Sequence, residues 1–288
     1  MANGILIVDK PAGWTSQDVA AKLRGVFHEK RVGHGGTLDP MATGVLPIFI
    51  GRATRAVPFF EHADKVYEAG LRLGLVTDTQ DVTGRTLETH EVDVTQAQLE
   101  AALDSFRGEI AQIPPMYSAI KVNGQKLYAL ARQGKAVERA PRPVTIFALD
   151  LLGGAGADWR LRVHCSKGTY VRTLCHDIGA ALGCGGCLSA LRRTRAGAYD
   201  DTRSHTMAEI LAAENPEALL LPTDSLFSDR PALKVAENAE RKLRNGAPLH
   251  TPKLKDGEYR VYNQAGDFLL LAQVANGELK TVKSFFEV

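Results

Sequence analysis

With 44% hydrophobic and 24% charged residues, 27 glycines and 13 prolines, the 288-residue chain has an ordinary globular composition, which excludes a disordered, collagenous or coiled-coil protein. At about 150 residues per domain the length allows two domains, or one large domain with an appendage, and the net charge is only +2. Four cysteines are too few for a disulfide framework, and the first apolar run stops at Asp9 and Lys10, far below the ~18 residues of a membrane span, so a cytoplasmic protein is expected.

In chain order, Ile5 to Val8 reads as a buried strand. Thr15, with Asp18 three residues on, opens a helix whose apolar stripe is Val19, Leu23, Val26 and Phe27. Gly33 to Gly44 is turn-rich, and Val45 to Ile50 is a second strand. Val66 to Gly74 alternates, placing Tyr67, Ala69, Leu71 and Leu73 on the core side and Glu68 and Arg72 opposite. Thr95 and Gln98 form a second capping box before Leu99, Leu103 and Phe106, in a helix ending at Gly108.

Residues 111–203 carry 14 basic against 6 acidic side chains, whereas 61–110 carry 4 against 11, so a polyanionic partner is plausible. Within the basic segment, 114–143 loses the sheet pattern. It gathers Lys121, Lys126, Arg132, Lys135, Arg139 and Arg142 around Tyr117 and Tyr128, and reads as an insertion with a short helix from Lys126 to Gln133. Val144 to Leu152 and Trp159 to Cys165 form a strand pair. A helix from Thr169 to Leu182 then buries Val171, Leu174, Cys175, Ile178 and Leu182, leaving Arg172 off that stripe and free to face a cleft. Beyond a boundary near Asp229, Asp256-Gly257 and Asn276-Gly277 mark hairpins in a small β-domain.

There is no G-x-x-x-x-G-K-[ST] loop, no G-x-G-x-x-G before a helix, no G-x-S-x-G elbow and no H-E-x-x-H, so nucleotide hydrolysis, dehydrogenation, serine hydrolysis and zinc peptidase chemistry lack their signatures. A lone Cys184-x-x-Cys187 has no second pair at zinc-finger spacing. The distinctive stretch is Gly33 to Gly44. Its glycines allow close backbone approach to a ligand, and His34 offers a flat polar ring. Asp39 before Pro40 suits the start of a short helical turn, and a carboxylate on such a loop equally suits a nucleophile or base.

GHGGTLDPMATGVLPIFIGRATR, with DKPAGWTS before it and KVYEAGLRLG, PPMYSAIKVNGQKLYALAR, SKGTYVRTLCHDIG and LSALRRTRAG after it, resembles the bacterial TruB family of tRNA pseudouridine synthases over nearly the whole chain. The resemblance implies an α+β fold: a large mixed, mainly antiparallel sheet flanked by helices over 1–229, with an RNA-clamping insertion at 114–143 and a PUA-like RNA-binding β-domain at 230–288. It implies isomerisation of uridine 55 in the T-loop of tRNA to pseudouridine on a base flipped out of its stack, with no cofactor, no metal and no membrane, by a monomer.

By the same resemblance Asp39 is the catalytic carboxylate, Tyr67 stacks on uracil and helps remove the C5 proton, and Arg172 pairs with Asp39 and keeps it ionised. Tyr170 and Leu191 line the uracil pocket, and His34 enters the T-loop in place of flipped nucleotides. Lys10, Arg55, Lys121, Arg192 and Arg193 are candidate phosphate contacts. The competing reading is a non-catalytic tRNA-binding or folding module, which shares the basic and aromatic features. A hydrolase or methyltransferase would need a metal cluster or nucleotide fingerprint that the sequence does not show.

Overall fold

The computed structural model describes residues 2–287 apart from 119, 123, 132 and 136; the side chains of Lys121 and Lys126 also lie outside the described residues. The first half holds β1 (Gly4–Lys10), α1 (Ser16–Val26), β2 (Val32–His34), β3 (Thr43–Ile50), α2 (Val57–Phe60), β4 (Lys65–Leu73), β5 (Leu75–Thr77), β6 (Thr86–Thr89), α3 (Gln96–Asp104) and β7 (Gly108–Gln112). Residues 114–141 hold the small pair β8 (Lys121–Val122) and β9 (Gln125–Lys126) and helix α4 (Leu127–Ala131). There follow β10 (Arg142–Ala155), β11 (Asp158–Cys165), α5 (Val171–Ala181), β12 (Gly186–Ala196), β13 (Tyr199–Asp200), β14 (His205–Thr206) and α6 (Met207–Ala212). The last segment comprises β15 (Ala232–Lys234), α7 (Glu237–Arg244), β16 (Leu249–His250), β17 (Gly257–Tyr262), β18 (Phe268–Ala275) and β19 (Glu278–Ser284).

Ten strands form one sheet in the order β14-β1-β3-β12-β4-β11-β10-β7, with β13 beside β12 and β2 beside β3. Only β1–β14 and β3–β12 run parallel. This is the mixed, mainly antiparallel α+β sheet that the resemblance implies. Both capping boxes are present: Thr15 and Asp18 bond reciprocally at α1, and Thr95 and Gln98 do so at α3. The apolar stripes of α1, α3 and α5 supply Val19, Leu23, Leu99, Leu103, Leu174 and Ile178 to one core with Leu71, Leu161 and Val163 of the sheet.

A separate five-stranded sheet, β15-β17-β18-β19-β16, forms the C-terminal unit. It packs against the rest of the chain through edge-on and tilted rings: Phe227 lies 5.4 Å from Phe59 of α2, 6.2 Å from Phe268 and 5.9 Å from Phe285.

Two local expectations change and one holds. α3 ends at Asp104, because Gly108, at φ 82°, opens β7 rather than closing a helix. Asn276-Gly277 is the two-residue turn joining β18 to β19, both residues at positive φ. Asp256-Gly257 is not a hairpin turn: the β17–β18 connection lies at Asn263 to Asp267, and the Asp256 carboxylate instead accepts the Asn276 N–H at 3.1 Å.

Candidate active site

The site sits where the end of β1, the start of β3 and the middle of β12 and β4 meet. Asp39 lies on the loop between β2 and β3, and the loop is braced from two sides. Ser16 Oγ accepts the Leu38 N–H at 2.8 Å, and the Pro40 carbonyl accepts the Gly13 N–H at 2.8 Å. The expected helical turn is a single tight turn closed by the Ala42 N–H on the Asp39 carbonyl, so the Asp39 side chain caps nothing and is free to point elsewhere.

It points to Arg172. Arg172 Nε meets Asp39 Oδ2 at 2.9 Å and Nη2 lies 3.4 Å from Oδ1. Arg172 is the second residue beyond Tyr170, which ends the extended chain before α5. Its guanidinium does not face an open cleft, as the helical stripe suggested; it is 5% exposed. The Thr79 carbonyl accepts from Nη1 at 3.0 Å and the Tyr117 carbonyl accepts from Nη2 at 2.9 Å, which ties the insertion to the site. Such a fixed fork cannot swing away from its carboxylate.

A second carboxylate, Asp81, lies 3.5 Å from Arg172 Nη1 and is 5% exposed. Sequence reasoning missed it. It sits on the β5–β6 connection, where the hydroxyls of Thr79 and Thr83 donate to its Oδ1. The signal was only the local density of Asp and Thr in TDTQDVTG, which also reads as an ordinary turn.

Asp39 keeps 36% of its side-chain surface open. Crowding by protein raises its pKa above the usual carboxylate range; Arg172 is the strongest opposing influence, Asp81 adds to the rise and Lys10 opposes it. The carboxylate is therefore partly desolvated, with one guanidinium opposing the resulting rise most strongly.

Tyr67, on β4, is both a core and a site residue, 8% exposed. Burial pushes its phenol up, Arg193 pulls it down, and Asp39 is near enough to push it up again. Leu191 packs in the same core. Tyr170 is half-buried, and its phenol is also raised by burial. The His34 ring, half-buried with no partner for Nδ1, is kept towards its neutral form by burial and by Arg193.

The expected phosphate contacts fare differently. Lys10 is fully buried and Nζ donates to the carbonyls of Pro11, Trp14 and Pro40 at 2.9, 2.6 and 3.3 Å, so it fastens the Asp39 loop and cannot reach a backbone phosphate. Burial lowers its ammonium to about 8. Arg193 is 1% exposed and donates to the carbonyls of Val45 and Gly36, so it is no surface contact either. Period two explains this, because Leu191 and Arg193 share the inner face while Arg192 turns outward. Arg192 makes a two-pronged pair with Asp9 at 2.9 and 3.0 Å and stays 37% exposed. Arg55 is half-buried and donates to the carbonyl and hydroxyl of Ser284, linking the two sheets. The Lys121 side chain lies outside the described residues.

A chain of the crystal structure of a Cbf5-Nop10-Gar1 complex superposes with a TM-score of 0.74 at 26% identity, covering 99% of this chain and 85% of that one. The TruB family pseudouridylate synthase N-terminal domain matches residues 24–171, and the tRNA pseudouridylate synthase B C-terminal domain matches 172–228. Fold and site together define a pseudouridine synthase. Among relatives called tRNA pseudouridine synthase B, that of Pseudomonas fluorescens strain Pf-5 is 45% identical over 280 residues, covering 95% of this chain and 92% of its own. That of Aromatoleum aromaticum is 45% identical over 282 residues, covering 97% and 91%. The chain belongs to the TruB family.

Proposed function

We propose that the chain converts uridine 55 in the T-loop of tRNA to pseudouridine, with Asp39 as the catalytic carboxylate. The observation that carries this reading is the Asp39–Arg172 pair, 2.9 Å apart on a braced loop beside Tyr67, in a chain of this family. Asp39 attacks the uracil or the ribose, or removes a ribose proton. The N-glycosidic bond breaks, the held uracil turns, and C5 joins the ribose carbon. For that to occur the uridine leaves its stack, at a cost of a few kcal/mol. His34 replaces flipped nucleotides in the loop, where stacking contributes ~1–3 kcal/mol per base.

In this reading Tyr67, Tyr170 and Leu191 enclose the uracil, and Tyr67 takes the C5 proton. Arg192 and the basic insertion at 114–143 carry the RNA backbone, and residues 230–288 act as a PUA-like RNA-binding unit, the whole working as a cytoplasmic monomer without metal or cofactor. Lys10 and Arg193 are withdrawn from the phosphate contacts, since both are buried.

The test uses unmodified tRNA labelled with tritium at C5 of uridine. The parent is expected to release tritium and Asp39→Asn to release none while still binding tRNA. Release that persists when uridine 55 alone is replaced by cytidine would reassign the position. Deleting 114–143 is expected to weaken tRNA binding; unchanged affinity at moderate salt would remove the clamping role.

A further inference from the structure

Arg193 is buried to 1% exposure, yet among the described residues no carboxylate lies within ion-pair distance of it. Its Nε donates to the Val45 carbonyl at 2.7 Å and its Nη2 to the Gly36 carbonyl at 3.2 Å. A buried guanidinium with no carboxylate partner is costly unless its charge meets an anion.

The register says which group it faces. In the β12–β4 pair Arg193 stands directly opposite Tyr67, so both side chains rise from one face at cross-strand neighbour distance. The placement is rigid. At Gly44, φ 98°, a Cβ would lie 2.2 Å from the Arg193 carbonyl, so the glycine is what lets β3 close against this point of β12.

The titratable groups facing the phenol are Arg193 from β12, Cys165 from β11 and Asp39 from the loop. The Cys165 thiol is itself pushed up to about 11 by burial, so it stays neutral, and the Asp39 charge opposes phenolate. Lys65, on the same strand as Tyr67, gives its Nζ to the Ala63 carbonyl. Of the three facing groups, Arg193 alone favours a negatively charged oxygen on Tyr67.

We propose that Arg193 is a positioning residue that aims Tyr67 and holds its phenolate as the base that removes the C5 proton. This rests on the role given to Tyr67 under Proposed function. With uracil rejoined to ribose through C5, the C5–H bond breaks and its electron pair makes the C5=C6 double bond. The former C6=N1 π pair settles on N1, which takes a proton from water, and the C5 proton goes to Tyr67 Oη. The phenol then returns that proton to solvent before the next turnover.

The experiment follows single-turnover tritium release from C5, with tRNA affinity measured in parallel and pH varied. Arg193→Gln is expected to slow release by about 10²-fold, the order of general-base catalysis, with tRNA affinity within about threefold of the parent. The rise of rate with pH should move to higher pH, and Arg193→Lys should move it less. Placing 3,5-difluorotyrosine, a more acidic phenol, at position 67 should restore at least about tenfold to Arg193→Gln, following Brønsted behaviour.

Loss of rate with an unshifted pH profile and no rescue by the fluorinated phenol would overturn the inference and leave Arg193 a scaffold. Should Arg193→Gln not fold, Arg193→Lys decides by the same profile: a shift to higher pH supports the inference and an unshifted profile overturns it. Release at the parental rate by Tyr67→Phe would instead remove Tyr67 as the base, a failure of the reading beneath this one.

Discussion

Two buried arginines stand at the candidate site and are held in opposite ways. Arg172 lies against two carboxylates, 2.9 Å from Asp39 and 3.5 Å from Asp81, whereas Arg193 has no carboxylate partner among the described residues and meets the Val45 and Gly36 carbonyls and the Tyr67 phenol. The first opposes the rise that burial imposes on Asp39, and in the inference above the second faces the Tyr67 phenolate that takes the C5 proton. Burial is nearly equal at 5% and 1%, so the partners, not the depth, separate the roles.

The strongest way to break this contrast is Arg172→Met. It leaves Asp39 and Asp81 facing each other without their shared guanidinium, and breaking such a buried pair costs about 3–5 kcal/mol. Turnover should also fall by about 10³-fold, as on loss of a preorganised charge. Denaturant unfolding and tritium release measure the two; a stable, active Arg172→Met would mean that Asp39 needs no guanidinium.

Asp81→Asn sharpens the comparison, because it leaves Arg172 with Asp39 alone and frees Asp39 from a like charge. The loss expected is about 10²-fold in turnover, the effect of a misplaced catalytic group. The pH at which Asp39 ionises should fall, since Asp81 is among the influences raising it. An unchanged rate would make Asp81 part of the hairpin and nothing more.

On the Arg193 side, Gly44→Ala forces a Cβ to 2.2 Å from the Arg193 carbonyl at a positive φ. A destabilisation of about 1–3 kcal/mol is expected, read from the shift in denaturation midpoint. No shift would mean that the β3–β12 contact gives way easily.

The last effect, confined to alkaline pH, belongs to Lys10. Its folded ammonium titrates at about 8 against an ordinary 10.5. Between those values the unfolded chain binds more protons than the folded one, so stability rises with pH across that window and is lost as pH falls through about 8. Lys10→Met should lack that rise when denaturation midpoints at pH 8 and about pH 10 are compared. A rise of equal size in the variant would assign it to other groups.

What the sequence made legible was local. Thr15–Asp18 and Thr95–Gln98 announce their helices because a capping box needs only four residues, and the Tyr67–Leu73 alternation reads correctly because one face of β4 is buried. Arg193 was readable as well, since Leu191 two positions earlier shares its face, but two adjacent arginines look like surface charge until the strand period is applied. Lys10 carries the same lesson, standing two residues beyond Val8 on the buried side of β1.

Asp39 and Arg172 are 133 positions apart, and no spacing rule joins them; only resemblance to a known family did. Asp81 escaped even that, because it reaches Arg172 through the fold of a hairpin connection and not through any pattern along the chain. The exposure of Arg172 was misjudged for a related reason. A helical stripe says which side faces the sheet, and it does not reveal that the chain at 79–81 and the carbonyl at Tyr117 cover the other side.

The most direct test of the account is C5 tritium release by Asp39→Asn on unmodified tRNA at single turnover. The account predicts bound tRNA with no release, and a parent whose release is lost when uridine 55 is replaced by cytidine. Release by Asp39→Asn at the parental rate would place the chemistry on another residue and contradict it.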